Sequence, residues 1–197
     1  HGQTDWNVRA ALQGRTDIAL NDTGRAQARE ARALLQGVRF DAVYSSPLSR
    51  AVETAALVSG WERGAIQTDE RLTEIAFGPW EGRESRGLGP AFAPFFADPA
   101  NYRPPQGGES LQSLMARTGA FAAEMLARHA GQTVLAASHG AALHALLTCA
   151  LRRPMSEFWA VNLDNCCVAV LESSGGPFHL KEVLGKADAG YAEKYLK

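Results

Sequence analysis

Two short segments combine cationic side chains with the starts of predicted helices, which suits them to binding an anion. Ser45-Ser46-Pro47-Leu48-Ser49-Arg50 follows an apolar run and opens a helix, and Ser138-His139-Gly140 does the same. The first turn of a helix offers unpaired backbone N–H groups and the positive end of the helix dipole. Arg50 adds a permanent charge and a fork of donors that matches a phosphate group. Together the two junctions predict a phosphate site.

Each of these features has a commoner structural explanation when it stands alone. A lone arginine in a first helical turn is usually a surface residue, and a lone histidine near a strand end usually forms part of a core. The remaining histidines lack such a context. His144 comes five residues after His139, so it faces another side of that helix, and we interpret it as a core or rim residue. His129 and His179 have no neighbouring motif, and Cys166-Cys167 in an apolar strand is interpreted as packing.

The two junctions can form one site only if the strands before them belong to the same sheet. Apolar runs predict strands over 40–45, 133–137, 166–171 and 179–183, and helical periodicity predicts helices over about 22–36, 46–59, 110–126 and 141–151. Strands that alternate with helices favour an α/β fold, a three-layer α/β/α sandwich around a mainly parallel sheet. Ligands of such sheets bind at the carboxyl ends of the strands, where both junctions fall.

Local signals predict the ends of several elements and one irregular region. Asp22 or Thr23 is predicted to cap the first long helix, and Ser46 to cap the next one with Pro47 in its first turn. Leu72 to Phe77 is predicted to be extended. Residues 78–108 are rich in Gly, Pro and aromatic residues, and we interpret them as an irregular insertion over the active site of a single domain spanning 1–197.

Composition excludes some classes of function. The chain has 197 residues and a net charge of −1, whereas proteins that bind nucleic acid or membranes usually carry a basic excess. We therefore expect no nucleic-acid partner and no membrane association. Three cysteines, two of them adjacent, do not suit a disulfide framework and favour a reducing cytoplasm. No CxxC pair is present, which argues against a structural zinc site.

Several motifs occur in an order that resembles the histidine phosphatase superfamily, the phosphoglycerate-mutase-like enzymes. The resemblance runs from His1 to about Val170. It rests on His1-Gly2-Gln3-Thr4-Asp5-Trp6-Asn7, Leu12-Gln13-Gly14, Leu20-Asn21-Asp22-Thr23-Gly24, Ser45-Ser46-Pro47-Leu48-Ser49-Arg50-Ala51, Leu72-Thr73-Glu74-Ile75-Ala76-Phe77-Gly78-Pro79-Trp80-Glu81-Gly82, Gly107-Gly108-Glu109-Ser110 and Ser138-His139-Gly140. The opening segment and the segments of Arg50 and His139 are specific as a set.

The resemblance implies a role for each matching residue. His1 would be the nucleophile that forms a phosphohistidine. Arg50 and a protonated His139 would bind the phosphoryl oxygens. Glu74 would be the general acid and base, with Glu81 as the less favoured alternative. The phosphate site would be completed by Asn7, Gln13 and the Gly14 backbone. No metal and no other cofactor is implied, because Arg50 and His139 supply the positive charge.

One departure from the family pattern concerns the start of the sequence. The family has an arginine on a first strand directly before the His-Gly pair, and we expect a short leading segment with that arginine. The predicted reaction is hydrolysis of a small phosphomonoester, such as a sugar phosphate or a nucleotide-loop precursor phosphate, because the insertion is modest and leaves access for water. The alternatives are a cofactor-dependent phosphoglycerate mutase and a non-catalytic phosphate-binding protein on the same fold. The oligomeric state is left open, with a homodimer as one option.

Overall fold

A parallel three-stranded sheet forms the centre of the molecule. The computed structural model describes residues 1–185. Strands β1 (Ala42–Ser45), β2 (Gln67–Thr68) and β3 (Val134–Ala137) lie in the order β2-β1-β3, and both pairings are parallel. Ser45 of β1 is level with Ala137 of β3. The two predicted junctions therefore leave the sheet side by side at its carboxyl edge.

A second sheet pairs β4 (Val168–Glu172) with β5 (His179–Leu184) in antiparallel fashion. His1 lies between the two sheets. Its backbone nitrogen donates to the Ser138 carbonyl at 3.1 Å, and its carbonyl accepts from the backbone N–H of Cys166 at 3.2 Å. These contacts hold His1 beside the end of β3. A strand ahead of His1 stays a prediction.

Six α-helices lie within the described residues 1–185. They are α1 (Asp5–Val8), α2 (Asp22–Leu34), α3 (Ser49–Ser59), α4 (Pro94–Ala97), α5 (Leu111–Arg128) and α6 (Gly140–Ala150). Short 3₁₀ helices cover Arg63–Ala65, Glu70–Leu72, Gly78–Trp80, Ser85–Ala91, Pro99–Asn101 and Met155–Glu157. None of the helices in this part of the chain is long and apolar enough to cross a membrane.

Alternating side chains of β1 show the layers of the fold. Ala42 and Tyr44 pack in one cluster with Phe121 of α5 and Leu146 of α6. Val43, between them in sequence, packs on the other face with Ala55 of α3. Helices therefore cover both faces of the sheet, because successive strand side chains point in opposite directions. The predicted α/β/α sandwich is confirmed.

The ends of several elements differ from the prediction. The cap of α2 is Asn21, whose side chain accepts from the N–H of Gly24 at 2.9 Å. Helix α3 begins at Ser49 rather than at Ser46, because the Ser46 N–H still donates to the Ala137 carbonyl and continues the ladder with β3. The stretch from Leu72 to Phe77 forms no strand; Leu72 ends a 3₁₀ helix instead.

The segment 78–108 consists of short helices around an aromatic cluster. Phe92, Phe95, Phe96 and Tyr102 are buried and pack against each other and against Trp159. The Trp159 indole N–H donates to the Phe95 carbonyl at 2.8 Å. Burial of large rings gives this irregular segment a fixed shape. Residues 186–197 lie outside the described residues, so the predicted domain over 1–197 stays a prediction.

Candidate active site

One cavity at the carboxyl edge of β1 and β3 brings together all the predicted site residues. Its volume is about 300 Å³. The predicted residues that line it are His1, Asn7, Gln13, Gly14, Arg50, Glu74 and His139. Within residues 1–185 there is no group of three or more His, Cys, Asp or Glu side chains placed to hold a metal ion.

The His1 ring is oriented by its own neighbour. Its Nδ1 lies 2.7 Å from the Gly2 carbonyl oxygen, and because a carbonyl can only accept, Nδ1 carries the proton. In the neutral ring Nε2 then keeps a lone pair. The backbone at Gly2 lies directly against α2: a Cβ on Gly2 would lie 2.3 Å from the Gly24 carbonyl oxygen. This close contact restricts the position of the neighbouring His1.

Arg50 lies at the base of the cavity and is completely buried. Its Nη2 donates to the Gly14 carbonyl and its Nη1 to the Thr16 carbonyl, each at 2.8 Å, and its Nε donates to Nδ1 of His139 at 3.2 Å. These three partners hold the plane of the guanidinium. A guanidinium presents its N–H groups as a planar fork with a permanent charge, and this geometry is suited to the oxygens of a phosphate.

His139 is neutral in this arrangement, whereas its protonation beside a bound phosphate stays a prediction. Nδ1 accepts from Arg50, which can only donate, so the ring proton is on Nε2, 2.7 Å from the Ser46 hydroxyl. Burial holds the pKa of His139 well below its ordinary value, and the nearby Arg50 charge lowers the pKa further. His139 can therefore offer an N–H, but Arg50 carries the fixed positive charge.

Three N–H groups at the starts of α3 and α6 bind carboxyl groups of the protein itself, so these three are not open to an external anion. The Ser49 N–H donates to the carboxylate of Asp17 at 2.9 Å. The N–H groups of Ala141 and Ala142 donate to the carboxylate of Glu74 at 3.2 and 3.0 Å. The dipole of α6 therefore fixes the predicted general acid in the cavity.

Glu74 is a buried carboxyl group whose surroundings favour its protonated form. Its exposed fraction is 5%, and burial raises the pKa of this carboxyl above its ordinary value. The N–H donors of Ile75, Ala141 and Ala142 and the charge of Arg50 act in the opposite direction, but burial is the larger effect. The Glu74 carbonyl is also held by Arg117, whose Nη2 donates to it at 3.1 Å.

Asn7 and Gln13 are oriented by Thr4. The side chain of Thr4 caps α1 by accepting from the Asn7 N–H, while the Asn7 side-chain oxygen accepts from the Thr4 N–H at 2.9 Å. The Gln13 side-chain oxygen accepts from the Thr4 hydroxyl at 3.0 Å. Both amide oxygens are thus used internally, which fixes the two side chains in the wall of the cavity.

The wall away from His1 is largely aromatic. It is formed by Phe77, Phe92, Phe95 and Phe96. Of the three arginines predicted to select substrate, Arg86 lines the cavity within the described residues, whereas Arg83 and Arg103 do not. Arg86 therefore adds a second cation to the cavity, on an exposed part of its wall.

Sequence reasoning missed several residues around the cavity. Ser46 was predicted to cap a helix, but its hydroxyl contacts His139. Asp164, Asn165 and Cys167 line the cavity from the turn before β4. Cys166 packs in the core as predicted, whereas Cys167 also lines the cavity. The only sequence signal was the polar pair directly before the cysteines, which marks a turn at the end of the apolar run.

His144 is a core residue, as predicted. Its exposed fraction is 1%, and its ring nitrogens lie 2.7 Å from the Gly140 carbonyl oxygen and 3.0 Å from that of Val161. It thereby connects the first turn of α6 to the turn that leads to the second sheet. Glu81 does not line the cavity; its carboxylate is bound by backbone groups of neighbouring segments.

Comparisons with known proteins give consistent results. The model of the histidine phosphatase superfamily (branch 1) matches residues 1–184. The chain is 31% identical over 182 residues to the uncharacterized phosphatase PhoE of Bacillus subtilis strain 168, covering 92% of this chain and 90% of the relative. It is 30% identical over 174 residues to phosphoserine phosphatase 1 of Hydrogenobacter thermophilus, covering 87% and 82%. The solved structure of Bacillus stearothermophilus YhfR superposes with a TM-score of 0.84 at 36% identity, covering 92% of each chain.

Proposed function

The chain belongs to the histidine phosphatase superfamily and is a phosphatase, and we propose that it hydrolyses small phosphomonoesters through a phosphohistidine formed on His1. The observation that carries the proposal is the bond from Nδ1 of His1 to the Gly2 carbonyl. It leaves Nε2 as a nucleophile in a cavity that also contains Arg50 and Glu74. A non-catalytic phosphate-binding protein would have no use for a nucleophile and a buried acid in the same cavity.

The first step transfers the phosphoryl group to the protein. The Nε2 lone pair of His1 attacks phosphorus in line, and the bond from phosphorus to the alcohol oxygen breaks. Arg50 stabilises the charge on the equatorial oxygens, and the Nε2–H of His139 joins it when it turns from the Ser46 hydroxyl to a phosphoryl oxygen. Glu74 gives its proton to the leaving alcohol oxygen, which its raised pKa makes feasible near neutral pH.

The second step releases phosphate. A water molecule attacks the phosphohistidine, and the Glu74 carboxylate left by the first step takes a proton from that water. The bond between phosphorus and Nε2 breaks, and inorganic phosphate leaves while Glu74 is again protonated. No proton or electron has to come from a cofactor.

The dimensions and walls of the cavity favour a small substrate. A cavity of about 300 Å³ is at the lower end for small-molecule sites. Its aromatic wall favours a substrate whose alcohol carries an apolar group, and Arg86 favours a substrate with an anionic group besides the phosphate. Both relatives compared above are named as phosphatases, one of them for phosphoserine.

The direct test compares phosphate release by the full chain with release by His1→Ala. His179→Ala is the matched control, because this exposed histidine lies on β5 and contacts Glu172. We expect His1→Ala to lose both turnover and the labelled phosphoprotein formed from a ³²P-labelled monoester, and His179→Ala to retain both. Equal activity in His1→Ala and the unaltered chain would remove His1 as the nucleophile.

The same assay separates hydrolysis from mutase chemistry. A phosphoglycerate mutase would need a bisphosphoglycerate primer and would interconvert monophosphates faster than it releases phosphate. We expect phosphate release to proceed without primer and to exceed interconversion. The reverse ratio would assign the chain to the mutases.

We also propose that the enzyme acts in the cytoplasm on free metabolites, without a nucleic acid or a membrane as partner. All three cysteines have free thiols, which suits a reducing compartment. Cell fractionation tests the location, and light scattering of the purified chain decides between a monomer and a homodimer.

A further inference from the structure

The carboxylate of Glu81 is bound by donors from two separate segments. One oxygen accepts from the N–H groups of Arg15 and Phe77, each at 3.1 Å. The other accepts from the N–H of Thr16 at 3.0 Å and from its hydroxyl at 2.5 Å. Four donors therefore converge on one carboxylate, whose two oxygens can accept about four hydrogen bonds.

The turn bound by Glu81 is the turn that holds Arg50. The carbonyls of Gly14 and Thr16 accept from the two terminal nitrogens of Arg50 at 2.8 Å. The N–H groups of Arg15 and Thr16, on the same turn, donate to Glu81. The turn therefore lies between the Glu81 carboxylate, which its N–H groups face, and the Arg50 guanidinium, which its carbonyls face.

Gly14 allows this close contact. Its φ is +53°, a conformation that glycine adopts readily and other residues rarely do. A Cβ at this position would also lie 2.1 Å from one Glu81 oxygen. The glycine thus permits both the path of the turn and the approach of the carboxylate.

The other side of the carboxylate is anchored independently of this turn. Phe77, whose N–H donates to Glu81, is buried in the aromatic wall and follows Glu74 by three residues. The backbone next to Glu81 is also paired, since the Gly82 N–H donates to the Leu12 carbonyl at 2.8 Å and the Leu12 N–H to the Arg83 carbonyl at 3.0 Å. The position of Glu81 is therefore set by contacts outside the turn, and its carboxylate in turn holds the N–H groups of the turn.

We propose that Glu81 is a positioning residue that sets the place of Arg50 by holding the turn at Gly14–Thr16. The proposal rests on the role of Arg50 given above. An ionised carboxylate is needed because it only accepts, whereas the amide of a glutamine would turn donor hydrogens toward the N–H groups that Glu81 now binds. Displacement of a binding group by about 1 Å is enough to cost roughly 10²-fold in rate.

The test is a kinetic comparison of Glu81→Gln with Asp41→Asn in the full chain. Asp41 is a matched control because its carboxylate also accepts a backbone N–H, that of Thr133 at 2.8 Å, but at the opposite end of β1 from the cavity. We expect Glu81→Gln to lower kcat/KM by about 10- to 100-fold and to weaken inhibition by inorganic phosphate. Asp41→Asn should change neither. Thermal unfolding of each variant verifies that it is folded.

Two further measurements separate positioning from acid catalysis and from general destabilisation. The loss in Glu81→Gln should be equal for p-nitrophenyl phosphate and for an alkyl phosphate, because Arg50 binds the phosphoryl group of both. A larger loss with the alkyl phosphate would make Glu81 a proton donor and overturn the proposal. Thr16→Val removes only the hydroxyl donor and should produce a smaller loss in the same direction. Activity at the level of the unaltered chain in both folded variants would likewise overturn it.

A double-mutant cycle with Arg50→Ala distinguishes failure of this proposal from failure of the role of Arg50. If Glu81 acts through Arg50, Glu81→Gln should cause no additional loss in the Arg50→Ala background. The same fold loss in both backgrounds would show that Glu81 acts independently of Arg50 and would overturn the proposal. Full activity of Arg50→Ala would instead refute the role of Arg50, and this proposal with it.

Discussion

Glu74→Gln is the substitution that tests the chemistry of the site with the least disturbance of its shape. The carboxyl oxygen that accepts from Ile75 and Ala142, at 2.9 and 3.0 Å, can be replaced by the amide oxygen of glutamine. Only the longer bond from Ala141, at 3.2 Å, is then lost. We therefore expect a folded protein that binds substrate but has no proton to give.

The expected loss of rate in Glu74→Gln follows from the role of Glu74 as general acid. General acid–base catalysis contributes roughly 10²- to 10⁴-fold, which corresponds to about 2.7–5.4 kcal/mol at about 1.36 kcal/mol for each factor of ten. The full loss applies to an alkyl phosphate, whose leaving alkoxide needs the proton. p-Nitrophenyl phosphate should lose much less in formation of the phosphohistidine, because its phenolate leaves without a proton.

The assay is single-turnover phosphoryl transfer to His1 from both substrates over a range of pH. In the unaltered chain the rate with the alkyl phosphate should fall as pH rises through the pKa of Glu74, since the acid form is then lost. Burial raises that pKa, so the fall should occur above the range of an ordinary glutamate. Glu74→Gln should lack this limb of the profile. An equal loss with both substrates, or an unchanged alkaline limb in Glu74→Gln, would refute the assignment of Glu74 as the acid.

Four other predictions follow from the same geometry. Because burial raises the pKa of Glu74 in the folded state, the stability from this group is present below its ordinary pKa of 4.5 and is lost as pH rises through the folded pKa. Glu74→Gln should therefore gain stability relative to the unaltered chain as pH rises, by about 1.4 kcal/mol per unit of pKa difference, and urea unfolding at acid and neutral pH measures this; a constant difference would contradict it. Arg50→Lys should lower kcat/KM by about 10²–10³, because one ammonium nitrogen cannot replace the contacts with Gly14, Thr16 and His139; phosphate release measures the loss, and near-full activity would contradict the need for a guanidinium. Arg86→Ala should raise KM for monoesters with a carboxylate more than for neutral ones, whereas Arg83→Ala should not; steady-state kinetics with paired substrates decides this. Exchange of segment 78–108 with Glu81 retained should change substrate preference while labelled phosphohistidine still forms, and unchanged preference would exclude the segment as the selecting wall.

Local patterns were sufficient to predict most of the framework. The stripe from Leu111 to Met125 is buried as the helical period predicts, and Ser110 caps this helix by accepting from the Ser113 N–H. The two strand–helix junctions lie side by side at one sheet edge. Such features depend on neighbours within a few residues or on a simple period, and these can be read directly from the order of residues.

Partners far apart in sequence were not predictable in this way. Glu81 was only the less favoured alternative to Glu74 as the acid, and its neighbours in sequence gave no sign that it binds a turn. Its donors Arg15 and Thr16 are 66 and 65 residues away. The N–H groups at the start of α6 are bound by the carboxyl group of Glu74, a partner that the sequence around α6 did not indicate. A donor or acceptor has many candidate partners along a chain, and only packing decides which of them is within 3 Å.

The sequence by itself determined the family, the α/β framework and the proposed catalytic residues of the cavity, but not the polar residues that the turn before β4 adds to it. Tertiary structure alone decided their chemical states. Burial and the contact with Arg50 make His139 neutral, and burial raises the pKa of Glu74. The physical reason is that the pKa of a side chain depends on its desolvation and on the charges within a few ångströms. Neither is a property of a residue's neighbours in sequence.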